Sequence, residues 1–281
     1  MKVHILCDSS TDVAESYRKE ITRIPLTVRF GQEEYFDEIT LDRETFYEKL
    51  ACAQELPTTS QATPGQFHQY FREIAEQGDS AVVITLSSSF SGTYQSACIA
   101  AEEYAHIYVV DSQSVAIGAG VLAQYAVECS RKGMSAEEIV RELEAKRRDT
   151  HVIALLDTLE YLKKGGRISK TVALAGGMLN IKPVVTVQDG AVALIGKARG
   201  SKNGNNLLVE KIQACGGVDF TKPVLLGYTG TSSALLDQYV RDSHALWEDA
   251  VDQLPRQLIS GVIGTHVGPG AVAVAFFGKK Q

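Results

Sequence analysis

A run of hydroxyl side chains stands between an apolar segment and a helical pattern near residue 90. The apolar residues Val82–Leu86 predict a buried strand, and Ser87–Ser89 follow it directly. Ser91 and Gly92 then open a segment whose apolar residues recur at helical spacing. Such a junction presents free backbone N–H groups and the positive end of the helix dipole to an anion. The sequence therefore predicts a site for a small anion, such as a carboxylate, at Ser91 and Gly92.

The same junction also has a simpler interpretation. Serine is favoured as a helix N-cap, so an ordinary capping role also accounts for Ser91. The loop contains no lysine, which excludes the phosphate-binding loop of many nucleotide-binding proteins. From this stretch alone, the anion site and the cap both remain open.

A second polar stretch precedes a predicted helix. Thr63 and Gln66 have the spacing of a capping box, with Pro64 at the first helical position. Thr59 and Ser60 come before this cap in a predicted loop, where no local structure requires their side chains. They are therefore candidate ligand-binding residues.

Two polar residues in the second half of the chain lie next to glycines. Arg167 follows Gly165 and Gly166, and its guanidinium suits either an anionic ligand or an ordinary salt bridge. His266 lies in a predicted glycine-punctuated loop, where its ring is not needed to fill the core and a surface position is the alternative. No other histidine has metal-ligand spacing with His266, which argues against a zinc site.

The elements that must position these residues alternate between strand and helix in the first half. This order, with short connections, is typical of an α/β fold with a doubly wound, mostly parallel sheet. Asp8–Asp12 follow the first strand, where ligand groups collect in such sheets. A helix cap at Thr11 or Asp12 explains these polar residues equally. Four apolar runs predict the strands: Val3–Cys7, Ile24–Phe30, Val82–Leu86 and Ile107–Val110.

The pattern changes in the second half. Ile181–Val187 and Ala191–Ile195 are joined by Gln188-Asp189-Gly190, and the Asp-Gly pair is a strong hairpin signal. A hairpin requires antiparallel pairing, so this half predicts a mixed sheet. A further helix is expected to run from Ser169 toward Ala175.

Length and composition predict two α/β domains of ordinary size, residues 1–150 and 151–281. No apolar run approaches the roughly 18 residues that a membrane span needs. The net charge of −6 argues against nucleic-acid binding, which requires a basic surface. Five scattered cysteines without a CxxC pair, and a first segment without signal-peptide layout, predict a cytoplasmic location.

Six short motifs follow one another from the first strand to the last. They are Asp8-Ser9-Ser10-Thr11-Asp12, Thr59-Ser60-Gln61 with Pro64-Gly65-Gln66-Phe67, Ser91–Ala97, Leu162–Ile168, Ile181-Lys182-Pro183 and Gly264–Gly270. Each motif is weak, and the specificity lies in the ordered set. Together they resemble the DegV family, bacterial fatty-acid-binding proteins that serve a fatty acid kinase.

This resemblance implies two α/β domains with a long acyl chain in a tunnel and its carboxylate near the cleft. It implies that Thr59 and Ser91 hydrogen-bond the carboxylate, and that Ser60, Arg167 and His266 lie close to it. It further implies a carrier without a cofactor and without catalytic activity. The carrier would present a long-chain fatty acid to a separate kinase, hold the acyl phosphate for phospholipid synthesis and contact the membrane transiently.

Two other classes of function remain open on the sequence. A serine-type acyl hydrolase would use Ser91 and His266 as a dyad, although the G-x-S-x-G motif is absent. A regulatory or interaction module would bind its ligand incidentally. For a kinase partner, the predicted basic loop with Lys197, Arg199 and Lys202 offers a docking face, or else it is a solvated turn.

Overall fold

The computed structural model describes residues 1–169 and 180–279. The helix expected from Ser169 toward Ala175 therefore lies outside the described residues. The strands are β1 (Val3–Asp8), β2 (Ile21–Ile24), β3 (Thr27–Phe30), β4 (Glu33–Phe36), β5 (Thr58–Ser60), β6 (Ser80–Thr85), β7 (Ile107–Asp111), β8 (Thr150–Leu155), β9 (Ile181–Gln188), β10 (Ala191–Arg199), β11 (Leu225–Tyr228), β12 (Arg256–Leu258) and β13 (Val272–Phe277). The α-helices are α1 (Arg43–Cys52), α2 (Pro64–Glu76), α3 (Thr93–Ala101), α4 (Ile117–Arg131), α5 (Ala136–Lys146), α6 (Glu160–Lys164), α7 (Gly200–Ala214), α8 (Ala234–Asp242), α9 (His244–Trp247) and α10 (Gly261–Val267).

The first sheet contains four parallel strands in the order β2-β1-β6-β7. Helices cover both faces, so every residue of β6 is buried. Leu6 and Val83 pack with Phe67 of α2 on one face. Ile5 and Val82 pack on the other face, in the core that includes α4 and α5. The predicted doubly wound parallel sheet is confirmed.

The second sheet is mixed, with the order β10-β9-β8-β13-β11-β12. Only its β11–β12 pair is parallel. The predicted hairpin is confirmed, because Gln188 pairs with Ala191 across a two-residue turn. Asp189 and Gly190 have φ values of 49° and 76°, as a type I′ turn requires.

Helix α4 packs between the two sheets, and twelve of its fifteen residues are buried. Two glycines permit this close approach. A Cβ on Gly118 would lie 2.8 Å from the Cβ of Val152, and one on Gly120 would lie 1.8 Å from the carbonyl oxygen of Asp12. One hydrophobic core therefore contains residues of both halves, and the division at residue 150 stays a prediction.

Two expectations for the segment around the third, small sheet (β4-β3-β5) were wrong. The predicted strand Ile24–Phe30 is divided at Pro25, which cannot donate a hydrogen bond, and β2 and β3 lie in different sheets. Thr59 and Ser60 lie on β5, paired with β3, and not in a loop. The capping box at the start of α2 is confirmed, with both of its hydrogen bonds present.

Two predicted loops are also regular structure. His266 lies on α10, because Gly261 and Gly264 let this helix approach α1 closely. A Cβ on either glycine would lie within 3 Å of the Phe46 ring, so these glycines serve packing and not a loop. The basic loop is absent as well, since Lys197 and Arg199 lie on β10 and Lys202 lies on α7.

Candidate ligand-binding cavity

A cavity of about 620 Å³ lies between the carboxyl end of the first sheet and one face of the second. This is the size range of small-molecule sites. It adjoins the end of β6 through Leu86, next to the point between β1 and β6 where the strand order of the first sheet reverses and where ligands bind in such folds. Its lining is mostly apolar: Leu26, Leu86, Phe90, Val115, Ala116, Ile117, Val152, Ala154, Leu156, Leu162, Val185, Val187, Val192, Ile259, Val262, Ile263, Val267, Ala271 and Ala273.

All six residues predicted to contact a ligand line this one cavity. They come from four separate segments: β5, the loop before α3, the segment after α6, and α10. The structure therefore places the predicted residues together, although what they bind stays a prediction. They are Thr59, Ser60, Ser91, Gly92, Arg167 and His266.

The side chains of Thr59 and His266 contact each other across 207 residues of sequence. Thr59 Oγ1 lies 2.9 Å from His266 Nε2, and His266 Nδ1 is buried with no hydrogen-bond partner among the residues that the structure describes. Burial, together with the positive charge of Arg167, lowers the pKa of His266 to about 4, so the ring is neutral at pH 7. A buried N–H without an acceptor is rarer than an unsatisfied acceptor, which assigns the proton to Nε2. The Thr59 hydroxyl then accepts from His266 and keeps its own hydrogen to donate to a ligand.

The depressed pKa of His266 predicts a specific pH dependence of stability. Between pH 4 and 6.5 the unfolded chain binds a proton at this residue that the folded chain does not bind. His266 therefore stabilises the fold least in acid, and its contribution is complete above pH 6.5. We expect the difference in unfolding free energy between the wild type and His266→Gln to shrink as the pH falls through this range. Urea unfolding of both lipid-free proteins measures it, and parallel pH profiles would contradict the assignment.

Ser91 and Gly92 shape the start of α3 in different ways. Gly92, not Ser91, occupies the N-cap position, so the capping interpretation of Ser91 was wrong in position. Ser91 Oγ nevertheless accepts a hydrogen bond from the backbone N–H of Thr93 (3.2 Å). A Cβ on Gly92 would lie 2.2 Å from Gln61 Oε1. The absence of a side chain on Gly92 thus lets Gln61 Nε2 donate a hydrogen bond to Ser96 Oγ (3.0 Å). This hydrogen bond holds the end of β5 beside Ser91.

Arg167 links the segment after α6 to the serine loop, which we define as Ser87–Ser91. Its Nη1 donates to the carbonyl oxygen of Gly165 (2.6 Å) and its Nε to that of Phe90 (3.3 Å). Among the described residues, no carboxylate pairs with Arg167. The salt-bridge interpretation is therefore wrong for the described chain, and an unneutralised guanidinium faces the cavity.

The motif Asp8–Asp12 does not line the cavity but supports it from behind. Asp8 accepts hydrogen bonds from the backbone N–H groups of Leu86 (2.8 Å) and Ser10 (3.0 Å), which fixes the start of the serine loop. Asp12 accepts from the backbone N–H of Ser260 (2.9 Å), at the start of α10. Neither Thr11 nor Asp12 caps a helix, since the next helical turn begins at Glu15 after Ala14. Both expectations for this motif were wrong.

A second buried carboxylate that the sequence reasoning missed also holds α10. Asp37 Oδ1 accepts from the backbone N–H of Gly261 (3.1 Å). Burial, and then the neighbouring Glu38, raise the pKa of Asp37 to about 7. Backbone N–H groups at a helix N-terminus lack partners within the helix, so Asp12 and Asp37, which accept from two of them, together fix the helix that carries His266. An isolated aspartate after a short strand gives no sequence signal for this role.

The arrangement does not favour the hydrolase alternative. His266 Nε2 bonds Thr59, and Ser91 Oγ lies 2.9 Å from Thr93 Oγ1, so neither side chain bonds the other. Within residues 1–169 and 180–279, no cluster of His, Cys, Asp or Glu side chains is arranged to hold a metal ion. Nor does any helix in these ranges combine the length and apolar character needed to cross a bilayer.

A parallel sheet, a mixed sheet and a mostly apolar cavity of ligand size between them define the class: an α/β protein with an internal cavity that can hold a small molecule. The chain belongs to the DegV family: the model of this family of uncharacterised proteins matches residues 2–279. A DegV domain-containing protein of Caldanaerobacter subterraneus is 34% identical, with 98% of each chain covered.

Two solved structures are similar over nearly their whole length. A DegV family protein from Thermus thermophilus, described as binding fatty acid, has a TM-score of 0.86 and 30% identity over 99% of this chain and 100% of its own. A stearic-acid-binding protein from Eubacterium ventriosum has a TM-score of 0.86 and 26% identity over 98% of this chain and 97% of its own. The resemblance to the family is confirmed.

Proposed function

We propose that this protein binds a long-chain fatty acid, with the tail in the apolar part of the cavity and the carboxylate at its polar end. One observation carries the proposal: Arg167, which no carboxylate of the described chain neutralises, faces a largely apolar cavity beside Thr59 and Ser91. A molecule with one negative end and a long apolar remainder complements this arrangement. The fatty acids bound by the Thermus thermophilus and Eubacterium ventriosum proteins support it.

The energetics agree with this ligand class. Burial of an acyl tail contributes about 0.8 kcal/mol per methylene, so a 16-carbon chain gains on the order of 10 kcal/mol before the costs of binding. Neutral hydroxyl donors together with one guanidinium are sufficient to satisfy a single carboxylate. The tail therefore supplies most of the affinity and the head group supplies the orientation.

Each polar residue has a role in this proposal. Thr59 and Ser91 donate hydrogen bonds to the carboxylate, and Arg167 supplies the positive charge. Ser60 and the backbone of Gly92 lie close to the head group, and neutral His266 orients the Thr59 hydroxyl. These residues bind and present the carboxylate without catalysing a reaction, and no cofactor takes part.

The wider role that we propose is that of a cytoplasmic carrier. It would take up a fatty acid during transient contact with the membrane and present its carboxylate to a fatty acid kinase. It would then hold the acyl phosphate for phospholipid synthesis. The mostly apolar lining of the cavity supports this role, because it can shield an acyl tail from water away from the membrane.

The first test is the identity of the co-purified lipid. We expect native mass spectrometry of the protein expressed in bacteria to show one fatty acid per chain, and organic extraction to identify it. The reason is that the apolar cavity of the free protein is costly to leave hydrated. A ligand-free protein that takes up no fatty acid from vesicles would overturn the proposed function.

A further inference from the structure

The tip of the β9–β10 hairpin touches the serine loop across the two halves of the chain. Ser87 Oγ donates a hydrogen bond to the carbonyl oxygen of Gly190 (2.8 Å), and Ser87 is buried. The same hydroxyl accepts from the backbone N–H of Ser89 (3.2 Å), so one oxygen holds both the loop and the hairpin. A Cβ on Gly190 would lie 2.6 Å from Ser87 Oγ, which leaves no room for a larger residue.

The outer part of the hairpin extends beyond the strand pairing between β9 and β8. Strand β9 pairs with β8 over only three residues, from Val184 to Thr186. Val187 and its cross-strand partner Val192 lie beyond that pairing and both line the cavity. This overhanging end, residues 187–192, is therefore a wall of the cavity that is attached at its tip to Ser87.

The strand register shows which end of the cavity this wall closes. Val152, Ala154 and Leu156 line the cavity at alternate positions, and beyond Leu156 the chain runs into α6 and toward Arg167. Thr186 pairs with Ile153, so Val187 is level with Val152. Val152 and Leu156, which directly follows β8, are four residue steps apart, about 13 Å at ~3.3 Å per step. The overhanging end thus borders the part of the cavity farthest along β8 from Arg167.

We propose that Ser87 and Gly190 are positioning residues that set how the protein discriminates fatty acids by chain length. Their contact holds Val187 and Val192 against the distal part of the tail, and the strand register places Arg167 toward the opposite end of β8. This inference rests on the proposed function. A short acid that does not reach the overhanging end is insensitive to the contact, whereas a long acid depends on it.

The test is Gly190→Ala, with Gly217→Ala as the matched control. Both glycines have φ of +76°, so both variants place an alanine in the left-handed region, but a Cβ on Gly217 meets nothing within 4 Å. Affinities for saturated acids of eight to eighteen carbons are measured by calorimetry on delipidated protein. We expect Gly190→Ala to weaken binding of the longest acids about tenfold and of the shortest less than about twofold, and Gly217→Ala to follow the wild type.

Ser87→Ala removes the hydrogen bond without a steric clash and is expected to show the same chain-length trend with a smaller loss. If circular dichroism shows that Gly190→Ala does not fold, the chain-length profile of Ser87→Ala tests the inference by itself. An equal loss at every chain length, or none in both variants, would overturn the inference while leaving fatty acid binding intact. A wild type that binds none of the acids would instead overturn the proposed function, and the inference with it.

Discussion

Replacing Arg43 with leucine is expected to lower the free energy of unfolding by about 3–5 kcal/mol. Arg43 is only 6% exposed, and its guanidinium lies 3.1 Å from Asp12 and also pairs with Glu38. It donates to the carbonyl oxygen of Leu258 as well, on the strand that precedes α10. Leucine fills part of the volume but leaves the buried Asp12 without its ion-pair partner, while Glu38 still pairs with Arg18 and Arg23. Urea unfolding of the lipid-free protein measures the loss.

The pH dependence of this loss separates an electrostatic cause from a packing cause. Burial raises the pKa of Asp12 to about 6 even though Arg43 opposes the shift, so removal of Arg43 raises it further. Between the ordinary pKa of 3.8 and this higher value the folded chain binds the extra proton, and stability falls as the pH rises. We therefore expect Arg43→Leu to be more damaging at pH 8 than at pH 5.

Arg29→Leu is the matched control, because Arg29 pairs with Glu34 on the surface and both side chains are about half exposed. An exposed ion pair contributes about 0–1 kcal/mol, so this variant should remain close to the wild type. Equal losses for Arg29→Leu and Arg43→Leu would show that the buried cluster has no special importance for the fold.

The double substitution Thr59→Ala with Ser91→Ala is expected to weaken fatty acid binding by about 100-fold or more. A hydrogen bond to a charged group contributes about 1.5–3 kcal/mol, and the variant lacks both hydroxyl donors while Arg167 remains. The fold should persist, because neither hydroxyl fills the core. Titration of delipidated protein with a long-chain acid and with its methyl ester measures the effect.

The methyl ester tests whether the loss of affinity arises at the head group. It lacks the negative charge, so the wild type should prefer the acid strongly and the double variant should prefer it much less. Thr58→Ala with Ser88→Ala is the control, since it alters the same residue types in the same two segments at exposed positions. Unchanged binding by the double variant would remove Thr59 and Ser91 from the carboxylate site.

Local patterns in the sequence predicted most of the elements correctly. The alternation of apolar runs and helical periods indicated the parallel sheet, since the spacing of apolar residues in each strand and helix follows from which of its faces is buried. The Asp189-Gly190 pair indicated the hairpin, because only a few residue types tolerate two successive positive φ values. Thr63 and Pro64 marked the start of α2 for an equally local reason.

The predictions that were wrong have a common physical cause. Gly264 was one of the glycines that indicated a loop around His266, but it belongs to a helix and faces the Phe46 ring on a distant helix. Asp12 suggested a ligand group or a cap, but its partners are Ser260 and Arg43, which the chain brings to it only on folding. The residues next to a given residue in the sequence do not indicate which distant residue it will contact in the fold.

The sequence by itself determined the α/β class, the mixed second sheet and the set of polar residues with no local structural task. Those properties depend on periodicity, turn chemistry and residue type, all of which act over a few positions. Only the tertiary structure decided that Thr59 reaches His266, that Arg167 faces the cavity without a carboxylate partner in the described chain, and that Gly190 closes on Ser87. Each of these depends on how two sheets pack around α4, and packing is set by the shape of all the buried side chains together.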